Sequence, residues 1–310
     1  MTIVYSPRYS IDIGPHVFPT TKYRLVYERI AASHPNVRVI EPELATWEEL
    51  ALVHSQEYLE KLRTGGFDAA ELAMLEIPWS PDTVEGFRLM TGGTLTAARA
   101  VMQPEPPAAP IAFHIGGGFH HAFANHGEGF CLFNDVAMAI RWLFESGAVR
   151  RTAVIDLDVH HGNGTALIFE REPRVFTFSM HQQHNYPMHK PRGSLDIGLA
   201  DGASDDTYLA ELERGLTAVF SFDPEMVIYL AGADPYEDDV LGGLALSKSG
   251  LRQRDRRVLQ ACRSRGIPVV IVLAGGYARQ VADTVDIHYA TFVEAVAATA
   301  PDASTAARSA

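Results

Sequence analysis

Residues 154–165, VIDLDVHHGNGT, bring carboxylates and imidazoles together at the end of an apolar run. Alternate side chains of a strand point to the same side, so we expect Asp158 and His160 to reach one point. A carboxylate and an imidazole that converge beside a glycine-containing turn are typical ligands of a divalent transition metal. The same residue types also form polar turns at strand ends, so a metal site needs a further ligand elsewhere in the chain.

Asp234 is the candidate third ligand, because it closely follows another apolar run, MVIYLAG at 226–232. Considered alone, Asp234 is equally well explained as the cap of a turn or helix. With Asp158 and His160 it makes two carboxylates and one imidazole, which leave coordination positions open for water and a substrate carbonyl. We therefore predict a catalytic metal site with Zn²⁺ as the ion, and with Fe²⁺ as the alternative that oxygen-rich ligation allows.

Two adjacent histidines, His120 and His121, follow three glycines in the segment GGGFHHA. Each imidazole needs an acceptor that fixes its tautomer, and Asp156 and Asn163 are the spare polar groups of the metal segment. A carboxylate raises the pKa of an imidazole more than an amide does, so the two histidines are expected to differ in protonation. The spacing leaves open which histidine faces which partner.

Tyr277 follows Gly275 and Gly276 at the end of the last apolar run. A phenol that reaches the metal site would stabilise the oxyanion that forms when water attacks a carbonyl. The alternative is a tyrosine that only packs against its neighbours.

The elements that position these residues alternate along the chain. Continuous apolar runs that alternate with amphipathic segments indicate an α/β protein, with one parallel sheet sandwiched by helices. The candidate residues follow these runs, so the active site is predicted at the C-terminal edge of the strands. We expect one domain over residues 1–300 and a flexible tail at 301–310. Strands are predicted at 111–115, 152–157, 175–180, 226–232 and 268–276, and helices at 21–33, 46–65, 82–103, 133–147, 205–220, 249–265 and 279–298.

Composition restricts the class of protein. The 310 residues carry a net charge of −12, which argues against direct binding to nucleic acid. No signal-peptide core and no apolar stretch of membrane-spanning length is present, so we expect a cytoplasmic protein without a membrane span. The two cysteines, Cys131 and Cys262, imply no disulfide framework. The oligomeric state is left open.

Four spaced motifs resemble the zinc-dependent histone deacetylase family, which has the arginase–deacetylase fold. They are HIGGGFHHA with GFCLFND, VIDLDVHHGNG, LAGADP with LGGLALS, and LAGGY. The resemblance covers nearly the whole chain in the family's order. YSPRYSIDIG, TGGT and HNYP make it most similar to class IV histone deacetylases and their bacterial relatives.

The resemblance implies a role for each candidate residue. Zn²⁺ would bind Asp158, His160 and Asp234, with His121 as the general base of the histidine pair and Tyr277 as the residue that polarises the carbonyl. Asp156 would orient His120 and, with Ser179, help to enclose a structural K⁺ or Na⁺ ion. Lys22 falls where family members place a basic residue near an internal product channel. The tunnel for the acyl-lysine would be lined by Gly129, Phe130, Tyr186, Leu241 and Gly275.

Three positions bear on the subgroup and the substrate. Asn163 stands where class I members have aspartate, so His121 is expected to lack a second carboxylate partner. Leu241 occupies the gatekeeper position at the tunnel mouth, where polyamine deacetylases tend to place an acidic or polar group. Asp82 is the candidate for the rim aspartate that grips a peptide backbone.

The resulting hypothesis is a zinc-dependent amidohydrolase that removes an acetyl or longer fatty acyl group from the Nε of lysine in a protein or peptide. The enzyme alternative is a deacetylase of a small metabolite such as an acetylpolyamine, which the apolar Leu241 disfavours. A non-catalytic module that binds acyl-lysine is the alternative from another class. That module would be expected to have lost a metal ligand, a histidine or the tyrosine, and this chain retains all of them.

Overall fold

One eight-stranded sheet, parallel throughout, forms the centre of the molecule. The structure is a computed structural model that describes residues 1–102 and 110–299, so the predicted tail at 301–310 lies outside the described residues. The strand order is β2-β1-β3-β8-β7-β4-β5-β6. The strands are β1 (Thr2–Val4), β2 (Arg38–Ile40), β3 (Ile111–His114), β4 (Thr152–Asp156), β5 (Val175–Gln182), β6 (Leu195–Leu199), β7 (Met226–Leu230) and β8 (Val269–Val272).

Helices connect the parallel strands and cover both faces of the sheet, as parallel pairing requires. A short 3₁₀ helix at Pro7–Tyr9 lies near the N-terminus. The α-helices are α1 (Thr21–Ser33), α2 (Trp47–Leu50), α3 (Gln56–Thr64), α4 (Ala69–Leu75), α5 (Pro81–Met102), α6 (Asp135–Glu145), α7 (Asn163–Phe169), α8 (Asp205–Ser221), α9 (Lys248–Arg263) and α10 (Val281–Thr299). None of the helices within the described ranges is long and apolar enough to cross a bilayer. The expected cytoplasmic location stays a prediction.

The central strands are buried on both faces, which explains their continuous apolar sequences. In β4, Ala153 and Ile155 belong to the apolar core on one face, whereas Val154 belongs to the core on the other. The same alternation occurs in β7, where Val227 and Ile228 lie on opposite sides. Both layers of helices therefore hold this part of the sheet, and the strand ends that carry the candidate residues have little freedom to move.

The sequence predicted the central part of the fold and missed its margins. All five predicted strands are present, and the parallel sheet between helices is confirmed. The helix predicted at 46–65 is two helices, α2 and α3, because Ser55 has an extended backbone and caps the second one. The edge strands β2 and β6, the inner strand β1 and the short helices α4 and α7 were not predicted. Most residues of β2 and β6 are exposed or half-buried, so these strands lack the continuous apolar run of a central strand. β1 has only three residues.

Candidate active site

Asp158, His160 and Asp234 meet where β4 and β7 end. One ligand atom from each residue lies within 4.8 Å of the other two. His160 Nδ1 is 3.1 Å from Asp158 Oδ1 and 3.5 Å from Asp234 Oδ2. Because β4 and β7 are neighbours in the sheet, their loops bring residues that are far apart in sequence to one point. The structure therefore assembles the predicted ligand set.

The donor set fits a metal ion. Asp234 Oδ2 is buried and has no hydrogen-bond partner among the described residues, which is costly for a carboxylate oxygen without a cation. A Cβ atom at Gly275 would collide with this oxygen and lie 2.6 Å from Asp158 Oδ2, so the glycine keeps the space between the carboxylates open. The backbone N–H of Gly275 donates to Asp158 Oδ2, and the backbone N–H of Val159 donates to Asp234 Oδ1. These two hydrogen bonds fix the orientation of both carboxylates.

Negative charge dominates the electrostatics of this cluster. Burial would lower the pKa of His160, but its hydrogen bond to Asp158, its contact with Asp234 and the charges of both carboxylates raise it to about 10. Burial and the charge of Asp158 raise the pKa of Asp234 to about 7. Two carboxylates that compete for positive charge in a buried site are well suited to a divalent cation, which would displace the proton.

The adjacent histidines face different partners. His120 Nδ1 lies 2.7 Å from Asp156 Oδ2, and His121 Nδ1 lies 2.7 Å from Asn163 Oδ1. The two rings are 4.1 Å apart, and both residues are at most 5% exposed. This resolves the pairing that the spacing left open, and it agrees with the partner that the resemblance implied for His120.

The two partners give the histidines opposite protonation states. Burial lowers the pKa of both rings, but the charges of Asp156 and Asp158 outweigh it at His120 and raise its pKa to about 9. At His121, the positive charges of His120 and His160 add to burial, and the pKa falls well below its ordinary value. Near neutral pH, His120 is therefore protonated and His121 is neutral.

Tyr277 follows β8 and lines the same cavity as the histidines. Its backbone N–H donates to Asp239 Oδ2 at 2.6 Å, which fixes the turn that carries the ring. Burial and the charges of Asp158 and Asp234 raise the pKa of the phenol well above its ordinary value. The hydroxyl thus keeps its proton and is a hydrogen-bond donor.

A cavity of about 760 Å³, including its open mouth, leads to this cluster. Phe130 is in a left-handed backbone conformation (φ 66°), in a tight turn that the paired backbones of Glu128 and Cys131 close. Asp82 lies in the first turn of α5, and the cavity lining does not include it. All five predicted tunnel residues line the cavity: Gly129, Phe130, Tyr186, Leu241 and Gly275.

Two further predicted residues, Lys22 and Ser179, lie outside the set of metal ligands and histidines. The buried Lys22 donates from Nζ to the Ala274 carbonyl at 2.8 Å, and burial lowers its pKa to about 8. Ser179 lies opposite Asp156 in the pairing of β4 with β5, and its Oγ is 3.0 Å from His181 Nδ1. The structural cation assigned to Asp156 and Ser179 stays a prediction.

Three carboxylates near the site were missed in the sequence. Asp239 accepts hydrogen bonds from the backbones of Leu241 and Tyr277 and so ties the two together. Glu76 is exposed, has a left-handed backbone (φ 59°) and lines the cavity. Glu128 contacts Asn163, the partner of His121. Glu128 adjoins the motif GFCLFND and Asp239 lies just before LGGLALS, but nothing in their spacing from the histidines or the metal ligands indicates a role.

Known proteins match this chain along most of its length. A model of the histone deacetylase domain matches residues 16–292. An uncharacterised protein of Picosynechococcus sp. is 38% identical over 92% of this chain and 95% of its own length. Histone deacetylase 2 of Arabidopsis thaliana is 32% identical over 92% of this chain and 78% of its own. The histone deacetylase-like amidohydrolase of Pseudomonas aeruginosa is 31% identical over 75% and 64%, respectively.

Proposed function

This chain belongs to the histone deacetylase family and is a hydrolase, and we propose that it removes acyl groups from the Nε of lysine in proteins or peptides. The observation that carries the proposal is the cavity, whose walls include the apolar rings of Phe130 and Tyr186 and the side chain of Leu241. A long apolar methylene chain with an amide at its end suits such a wall. The resemblance to class IV stays a prediction.

The family implies a divalent metal, and we propose that it is Zn²⁺ held by Asp158, His160 and Asp234. Such an ion would polarise the amide carbonyl and lower the pKa of water. His121 is neutral, with its Nδ1 directed to Asn163, so its Nε2 is the atom that accepts a proton from the attacking water.

The remaining groups act on the products of that attack. Protonated His120 donates a proton to the departing lysine amine, and Asp156 keeps the imidazolium charged and oriented. The Tyr277 hydroxyl donates a hydrogen bond to the oxyanion. The two histidines thus divide the base and acid roles, as their different partners require.

A second candidate substrate is a small acetylated amine such as an acetylpolyamine. Leu241 argues against it, but the carboxylate of Glu76 lines the same cavity and is exposed, so it could pair with an ammonium group. The proposal covers acetyl and longer acyl groups alike. The non-catalytic module finds no support, because the ligands, histidines and tyrosine are all present in one site.

The test is hydrolysis of matched peptides that carry acetyl-, octanoyl- or myristoyl-lysine, with acetylputrescine beside them. A chelator and Tyr277→Phe serve as controls for the metal and the phenol. Chelator-sensitive turnover of the peptides supports lysine deacylation, and its dependence on chain length assigns the acyl group. Turnover of acetylputrescine alone would replace the proposal with a metabolite deacetylase.

A further inference from the structure

The partner of His121 is itself held by a carboxylate. Asn163 Oδ1 faces His121 Nδ1, and on the other side of the same amide Asn163 Nδ2 donates to Glu128 Oε1 at 2.6 Å. Asn163 is 2% exposed, and the Glu128 side chain is 14% exposed. The sequence suggested that His121 lacks a second carboxylate. The structure places a carboxylate, that of Glu128, on the far side of the Asn163 amide.

Glu128 reaches this position through the turn that forms the tunnel wall. Its backbone N–H donates to Cys131 at 3.2 Å and its carbonyl accepts from the Cys131 N–H at 2.9 Å, so Gly129 and Phe130 form the tip. The backbone N–H groups of Gly129 and Phe130 donate to the carbonyls of Met74 and Leu75, which anchors the turn to α4. The carboxylate therefore sits on a fixed backbone.

We propose that Glu128 is a positioning residue that orients the Asn163 amide and thereby holds His121 in the tautomer with its proton on Nδ1. An ionised carboxylate has only acceptor atoms, so the amide must turn its Nδ2 toward Glu128 and its Oδ1 toward His121. An oxygen at that place accepts a hydrogen bond, and the ring must donate it from Nδ1. Nε2 then has a free lone pair. The catalytic part of this inference rests on the proposed function.

The other contacts of Glu128 support this orientation. The Tyr186 hydroxyl donates to the same Oε1 at 2.8 Å, and His126 Nε2 lies 3.6 Å from Oε2. Burial would raise the pKa of Glu128, but the contact with His126 and the hydrogen bonds from Tyr186 and Asn163 outweigh it and lower the pKa, so the carboxylate stays ionised near neutral pH. Without it, the two ends of the amide have the same size and shape, and the flipped amide would direct a donor at His121.

The first test measures the kinetics of Glu128→Gln with zinc bound and an acyl-lysine peptide as substrate. We expect kcat to fall on the order of 10-fold while KM changes little, because the substrate does not need Glu128 for binding. Glu172→Gln is the matched control, since the Glu172 side chain is 13% exposed and pairs with Arg141 and Arg174. That variant should keep the wild-type kcat.

The second test exchanges the carboxylate of Glu128 and the amide of Asn163. In Asn163→Asp, two carboxylates face each other, and kcat should fall below that of Glu128→Gln. In the double variant Glu128→Gln with Asn163→Asp, the glutamine amide donates to the new aspartate, which again accepts from His121 Nδ1. Its kcat should recover to within about 3-fold of wild type. A double variant no faster than Asn163→Asp would overturn the proposal.

A readout independent of catalysis separates this inference from the proposed function. Long-range ¹H–¹⁵N NMR of the histidine rings reports the tautomer of each, and His121→Asn identifies the His121 signals by their loss. We expect the Nδ1–H form of His121 in the wild type and a mixture of tautomers in Glu128→Gln. An unchanged tautomer in Glu128→Gln refutes the inference. Absence of deacylation with the expected NMR change would refute only the proposed substrate.

Discussion

The floor and the mouth of the cavity are built in different ways. The floor is the buried cluster of Asp156, Asp158, His160 and Asp234, of which Asp158 and His160 line the cavity. All four are at most 8% exposed and lie at or just beyond the ends of β4 and β7. The mouth consists of Glu76, Phe130, Tyr186 and Leu241, which are half-buried or exposed and lie on loops. Both strands that carry the floor pack against helices on two faces. The residues proposed to carry out the reaction thus lie on the rigid part of the fold, whereas the residues proposed to select the substrate lie on loops that can vary.

Charge separates the two regions as well. In the floor, paired carboxylates and imidazoles hold each other in unusual protonation states, and the pKa of His160 reaches about 10. The mouth contains one carboxylate, Glu76, whose pKa burial and the charge of Glu128 raise. Substitutions in the floor should therefore lower turnover of every substrate, whereas substitutions in the mouth should change which substrate is preferred.

Asp234→Asn should have the largest effect, because it removes a negative charge from the predicted ligand set. We expect kcat/KM to fall roughly 10³-fold or more and the bound metal ion to be lost, as measured by activity and metal analysis of the purified protein. Asp238→Asn is the control, since Asp238 is an exposed neighbour in the same loop. Full activity without bound metal would remove the metal from the proposal.

Tyr277→Phe should reduce kcat by about 10²- to 10³-fold, since a lost oxyanion donor costs about that much in related chemistry. KM should change little, because the oxyanion forms only during the reaction. Tyr289→Phe is the matched control, because Tyr289 is in α10 and does not line the cavity. An equal loss in both variants would mean that the assay reports folding, which a thermal melt would reveal.

Asp156→Asn should alter the pH profile and lower kcat about 10- to 100-fold. The pKa of His120 is about 9, and burial is outweighed there by the charges of Asp156 and Asp158. The protonated form acts as the acid, so kcat should fall as the pH rises through that pKa. Without the Asp156 charge the pKa drops, and the alkaline fall should begin at lower pH. An alkaline limb that does not move would assign it to another group.

The same division explains what the sequence could predict. Asp158 and His160 lie in the loop just beyond the end of β4, and Asp234 follows the neighbouring parallel strand β7, so the topology of the sheet brings them to one edge. Glu128 is 35 residues from Asn163 and 58 from Tyr186, and it meets them through a turn with two left-handed residues. No periodic pattern encodes such contacts. The mouth residues that were predicted, such as Tyr186 and Leu241, came from family resemblance rather than from physical spacing.

Leu241→Glu tests whether the mouth alone selects the substrate. A second carboxylate in the cavity that Glu76 lines should favour substrates with a free ammonium, so the ratio of kcat/KM for acetylputrescine to that for acetyl-lysine peptide should rise about 10-fold. Val240→Glu places the same charge on the neighbouring residue, which is 43% exposed and does not line the cavity. If both variants change the ratio equally, the effect belongs to the overall charge of the surface.

Glu76→Gln should have the smallest effect and the most specific one. The carboxylate is exposed, and exposed ion pairs contribute about 0–1 kcal/mol, so we expect KM to rise only about 2- to 5-fold. The increase should appear with peptides that carry lysine or arginine beside the acylated residue and be absent with neutral peptides. It should also disappear at high salt, because screening already removes the attraction in the wild type. kcat should stay constant, since Glu76 is not part of the floor. A fall in kcat with neutral peptides would instead indicate that Glu76 acts through its neighbour Glu128, and the boundary between mouth and floor would then have to include this loop.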